Sequence, residues 1–265
     1  MIRVGTSGFS YADWVGVFYP AGTGRHEMLS YYSKVFSLVE IDFTYYRMPS
    51  FRTIAAMEQQ TPGNFVFCVK TFKDLTHRRD LPGAEMKGLA GQFMTAISPL
   101  RDAGKLGCVL AQFPWSFKAS PENFEFIAEL QSALTGADLV IEFRNLDWVK
   151  EETFSFLRDF GLSFCCVDEP GLLGLFPPLG LATSENLSYI RFHGRNSAKW
   201  WKHEEAWERY DYHYSQAELT EWLPKIKDLA GKTRDTYILM NNCHAGYAAQ
   251  NARLLMTLLV EAGIM

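Results

Sequence analysis

The chain has 265 residues, 48% of them hydrophobic, enough apolar material for one large core. A formal net charge of −4 excludes a surface that is basic throughout, so any grip on phosphate must come from a local patch. No apolar run reaches the roughly 20 residues of a membrane span, and MIRVGTSG lacks the marks of a leader peptide, so no membrane partner and a cytoplasmic location are expected.

The first apolar run, IRVGTS (2–7), reads as a strand. A long connection, 8–25, leads from it to the helical pattern RHEMLSYYSKVF (25–36). LVEIDFT (38–44) is the second strand, followed by a helix at 51–60, and FVFCVKT (65–71) is the third, followed by one at 84–104. GCVLAQF (107–113) precedes a helix at 120–136, which Ser120-Pro121-Glu122 opens and Gly136 closes. LVIEFRN (139–145) is followed by a helix at 150–161. SFCCVDE (163–169) runs instead into DEPGLLGLFPPLGLATSE, an apolar stretch rich in Pro and Gly where a helix is due. SYIRFHG (188–194) continues into a long connection, 194–214, and a helix at 215–231. TYILMNN (236–242) ends the series, and a helix with small residues begins near Ala245.

Eight strands alternating with helices in this length predict an α/β fold: a single-domain (β/α)8 TIM-type barrel over 1–265. An open doubly wound sheet is the competing architecture, and no Gly-rich fingerprint after the first strand supports its dinucleotide-binding form. The three long connections all follow a strand, so in a barrel they gather at the C-terminal mouth, where barrel enzymes keep their active sites.

Side-chain alternation then sorts the strands. With the apolar positions turned toward the helices, the inward positions are Arg3, Glu40, Asp42, Cys68, Lys70, Gln112, Glu142, Arg144, Cys166, Asp168, Arg191 and His193, with Asn241 or Asn242 on the last strand. Charges taken out of water must pair, hydrate or hold a ligand. A salt-bridged plug and a ligand pocket both satisfy that demand. The five cysteines, odd in number and without zinc spacing, read as reduced core thiols, with Cys165 and Cys166 on opposite strand faces.

GTSGFSYADWVGVFYP, VEIDFTYYRMP, LTH, LAQFPWSF, IEFRNLDW, YIRFHGR and MNNCHAGYAAQNA together resemble the YecE-like family, a domain of unknown function (DUF72). The motifs are in order across almost the whole chain. The resemblance implies a TIM-barrel-like fold and no settled activity. Asp42 stands where that family usually has an amide.

Three chemistries fit the residues. Anion binding would use Lys70, Arg144, Arg191 and Arg195, with His77, Gln112, Asn241 and Asn242 orienting the ligand and Tyr46 and Trp148 contacting it. RFHGRNSAKWWKH (191–203) would be the loop that grips it, and Trp14, Trp200 and Trp201 could stack on a base or sugar. Acid–base work would fall to Glu142 as leading candidate, with His193 as proton partner and Glu40 and Asp168 as further carboxylates. A divalent-metal site from Glu40, Asp42, Glu142 and His193 is the third reading, although the spacing matches no metal motif. The expected function is therefore an enzyme, hydrolase-like or acting on phosphodiesters, for a phosphorylated or polyanionic ligand. A non-catalytic module that binds nucleic acid or protein through the basic and aromatic mouth is the alternative.

Overall fold

Short strands of apolar and β-branched residues cannot bury both faces alone, and here they close on themselves. The structure, a computed structural model, describes residues 1–265. Its strands are β1 (Ile2–Ser7), β2 (Leu38–Ile41), β3 (Val66–Lys70), β4 (Leu106–Gln112), β5 (Leu139–Glu142), β6 (Ser163–Asp168), β7 (Leu187–Phe192) and β8 (Asp235–Met240). All neighbours are parallel, and β8 pairs with β1 to close the barrel.

The helices are α1 (Arg25–Tyr32), α2 (Phe43–Tyr46), α3 (Phe51–Gln59), α4 (Asp74–His77), α5 (Gly83–Asp102), α6 (Pro121–Ala133), α7 (Glu151–Asp159), α8 (Gln216–Thr220), α9 (Leu223–Lys232) and α10 (Tyr247–Glu261). Two of them, α2 and α4, are single turns that the periodicity does not announce. The helix expected over 215–231 is broken in two at Trp222, because Pro224 has no N–H to donate and its ring clashes with the carbonyl four residues back. No helix follows β6, as the Pro- and Gly-rich run 168–185 predicts. No helix is long and apolar enough to cross a membrane.

One junction is unusually tight. A Cβ on Gly5 would lie 2.1 Å from the Leu38 carbonyl oxygen, so only glycine lets β1 approach β2 there. The Tyr32 hydroxyl fills the gap in the ladder: it accepts from the Thr6 N–H at 2.9 Å and donates to the Leu38 carbonyl at 2.9 Å.

The inward set holds for β1 to β5 and β7. In β6 it is inverted: the Cys165 thiol points inward at Glu142 (3.8 Å), and Cys166 faces the Leu181 backbone outside. Val167 shares the inward face, and Phe164, Cys166 and Asp168 face the helices and loops. The apolar marker of that outer face was Phe164, which packs on Phe154 and Phe176. On β8 the alternation resolves to Asn241 inward and Asn242 outward.

Candidate functional site

A layer of fully buried charge lies at the C-terminal end of the barrel interior. The guanidinium of Arg191 bridges Glu40 (2.6 Å) and Glu142 (2.7 Å). Glu40 also accepts from the Tyr189 hydroxyl at 2.7 Å. The second oxygen of Glu142 lies 2.7 Å from Arg144 Nε and 3.2 Å from His193 Nε2. Arg144 continues to Glu169 (3.2 Å), whose other oxygen accepts the Phe176 N–H at 3.0 Å. The chain of contacts thus runs from β2 across the barrel to the loop after β6.

The charge states follow from this geometry. Burial would raise the Glu142 carboxyl, but Arg144, Arg191 and His193 override it and hold it well below the usual carboxylate range. Burial and then Arg144 push His193 well below its ordinary value, so its imidazole is neutral. With Asn241 Nδ2 donating to Nδ1 at 2.9 Å, the ring proton belongs on Nε2, toward Glu142. Burial pushes Glu169 up to about 7 despite Arg144.

Above this layer the mouth is split into two clefts by a wall of Tyr46, Ala206 and Tyr210, which line both. The smaller cleft, about 320 Å³, is lined by Lys70, His77, Arg144, His203 and Arg209, with Trp115, Trp200 and Trp201, and by no Asp or Glu. Lys70 Nζ donates to Gln112 at 2.8 Å and lies 4.4 Å over the Tyr45 ring, without a carboxylate partner. Burial, then Arg191, lowers it to about 8. Arg209 donates to the Trp200 carbonyl and lies over that indole, also without a carboxylate. Burial and then Lys70 lower His77 to about 4, so it enters this cleft as a neutral ring bonded to the Tyr45 hydroxyl.

The larger cleft, about 810 Å³, has the opposite character. Asp13, Glu40, Asp42 and Glu205 line it beside Asn241, His244 and six aromatic rings, with no Lys or Arg. Burial and then Glu40 raise the Asp42 carboxyl.

Of the expected site residues, Lys70, Arg144, Gln112, His77 and Tyr46 line the cationic cleft, and Glu40, Asn241 and again Tyr46 line the acidic one. Glu142, His193 and Arg191 lie close beneath and line neither; the expected acid–base pair of Glu142 and His193 meets the mouth only through Arg144 and Asn241. Asp168 is a correction: it faces outward, where it accepts from Trp222 Nε1 (2.7 Å), the Tyr214 hydroxyl (2.6 Å) and Arg195 (2.8 and 2.9 Å). Arg195 is held there, with Glu218 and Glu221 beside it, and lines neither cleft. Asn242 is another correction, since its amide bonds the Tyr212 carbonyl and Asn251 and pins the return of the loop after β7. Trp148 is buried core, stacked 4.2 Å from Phe143 and bonded to the Phe117 carbonyl. Trp14 and Trp200 are buried too, although Trp200 still forms part of a cleft wall. Arg3 sits near the start of β1, at the other end of the barrel.

The metal reading fails on the donor set. The Arg191 guanidinium occupies the position between Glu40 and Glu142 that a cation would take, and no group of three His, Cys, Asp or Glu converges. Residues not singled out in the sequence include Arg209, Tyr210 and Trp207, on a short 3-10 turn (Ala206–Tyr210) within the loop after β7. A turn of five residues has too little periodicity to show in sequence, and only the clustering of aromatics near it gave a signal.

The family described as "Protein of unknown function DUF72" matches residues 3–264. UPF0759 protein YunF of Bacillus subtilis (strain 168) is 32% identical over 270 residues, covering 98% of this chain and 95% of that protein. A DUF72 family structure from Thermotoga maritima MSB8 superimposes with a TM-score of 0.91 at 42% identity, over 98% of this chain and 99% of that one. Another, from Enterococcus faecalis V583, gives 0.87 at 27% identity, over 98% and 96%. A family match over residues 3–264, with relatives aligned over nearly the full length of both chains, places this chain in the DUF72 family.

Proposed function

We propose that the mouth of the barrel binds a phosphorylated or polyanionic small molecule, with the anion in the cationic cleft. The observation that carries this reading is the lining of that cleft: Lys70, Arg144 and Arg209 face it with no acid among the lining residues, Arg144 being held from beneath by Glu142 and Glu169. Arginine offers paired donors to phosphate, and Lys70 is a compact charge that burial disfavours until an anion arrives. The same array would stabilise negative charge developing on a phosphoryl or acyl oxygen, which makes hydrolytic or phosphodiester chemistry the reaction class to screen. Glu142 acts in this reading by fixing Arg144, and not as a group that touches the ligand.

The test is calorimetric titration with pyrophosphate and phosphorylated sugars. Wild type should bind at least one of them. Lys70→Ala and Arg209→Ala should each weaken binding about ten-fold or more while the fold is retained. Failure of every phosphorylated probe, or indifference to both substitutions, contradicts the reading. The exposed Trp115 and Trp201 at the same cleft favour one second reading, a single-stranded nucleic acid lying across the mouth. That ligand would bind with a steep salt dependence spanning several phosphates, which a small anion would not show.

A further inference from the structure

We infer that the acidic cleft is a separate binding site for an organic ammonium group. The inference stands beside the anion reading and does not rest on it. The cleft is large enough for a small organic cation with its substituents, at about 810 Å³. Its walls include Phe9, Tyr11, Phe43, Tyr46, Trp207 and Tyr210. Aromatic faces attract alkylammonium groups through the ring quadrupole, and more strongly where water is thinned out.

Two of the four carboxylates are engaged, and of the other two Glu205 is exposed to water while Asp42 is the more buried. Asp13 accepts the Ala245 N–H at 2.7 Å. Glu40 is held by Arg191 and Tyr189. Asp42, half-buried at the start of α2, has neither an ion pair nor a side-chain hydrogen bond. The fold commits the two nearby cations elsewhere: Arg191 to Glu40 and Glu142, and Lys70 to Gln112. A negative group half-buried against aromatic walls without an internal partner is disfavoured alone, and a cation from outside relieves it.

The competing occupants fit less well. Phosphate would meet carboxylates and no cation. A hard divalent ion wants six or more oxygens, and the side chains here do not converge on one point. A neutral polyol would leave Asp42 charged and uncompensated.

The experiment titrates the full chain with choline and butylammonium, and with 3,3-dimethylbutan-1-ol, the uncharged carbon analogue of choline. At least one cation should bind, about ten-fold or more tighter than the neutral analogue. Asp42→Asn should abolish that preference. Trp207→Ala, at a half-exposed position outside the buried network, should weaken the cation about three-fold or more. Neither substitution should change pyrophosphate binding, and Lys70→Ala should leave the cation untouched, so this inference and the anion reading fail independently. Equal binding of choline and its neutral analogue, an Asp42→Asn protein that binds the cation as well as wild type, or no binding by either ammonium would overturn it.

Discussion

Asp168 and Glu142 are both buried carboxylates on strand ends, yet they do different work. Asp168 collects donors from Trp222, Tyr214 and Arg195 and ties β6 to the segment after β7. Asp168→Asn leaves Arg195 without its main partner and should cost about 3 kcal/mol. A lowered melting temperature with pyrophosphate affinity unchanged is the expected result. Glu142→Gln leaves two buried guanidinium groups short of an acceptor and should cost about 3–5 kcal/mol. Denaturant unfolding of that variant measures the cost directly, and an unaltered midpoint would show the charge layer to be slack. The sequence located both residues correctly along their strands. It placed Asp168 on the wrong face because alternation was anchored on the apolar Val167, which here shares the inward face with Cys165. Phe164, on the same face four residues earlier, carried the true parity. Glu142, anchored by Ile141 and Phe143 on either side, was placed on the correct face.

At the scale of elements, the tightest junction is β1 against β2. Tyr32→Phe removes the hydroxyl that serves the Thr6 N–H and the Leu38 carbonyl, and leaves both buried and unpaired. The expected cost is about 2–4 kcal/mol, read as a shift in the urea midpoint at constant slope. Strand order, the helixless segment after β6 and the gathering of long loops at one end were legible because period and punctuation are local properties. The loop after β7 was legible only as basic and aromatic. Of the basic side chains in 191–203, Arg191 at the end of β7 and the neutral His193 go into the barrel, Arg195 to Asp168, and Lys199 pairs with Glu208. Arg209, further along, is the one that lines the cleft without an acid partner. Gly194, at φ +92, lets the chain turn away after β7, and its Cβ would meet Tyr212. Which charge a loop residue then finds depends on contacts far away in sequence, and no spacing encodes them.

At the scale of the whole molecule, the mouth sorts charge: cations on one side of the Tyr46–Tyr210 wall, acids on the other. The pH behaviour should follow. Lys70 titrates near 8 in the fold and near its ordinary value when unfolded, so the unfolded chain binds more protons between those limits. Stability contributed by this group should therefore rise as pH climbs above about 8, and the rise should vanish in Lys70→Met. Glu169 has the opposite sign. Its folded value is raised to about 7, so its contribution is greatest at low pH and is lost as pH rises toward 7. Glu169→Gln should flatten that part of the stability profile, measured by urea unfolding between pH 5 and 7. Anion affinity should fall as Lys70 loses its proton above pH 8. The most direct measurement is the position of a heavy oxyanion, such as tungstate, in crystals of the protein, located by its anomalous signal. The account predicts one site bounded by Lys70, Arg144 and Arg209. An ion seated among Asp13, Asp42 and Glu205, or none anywhere in the mouth at saturating concentration, would contradict it.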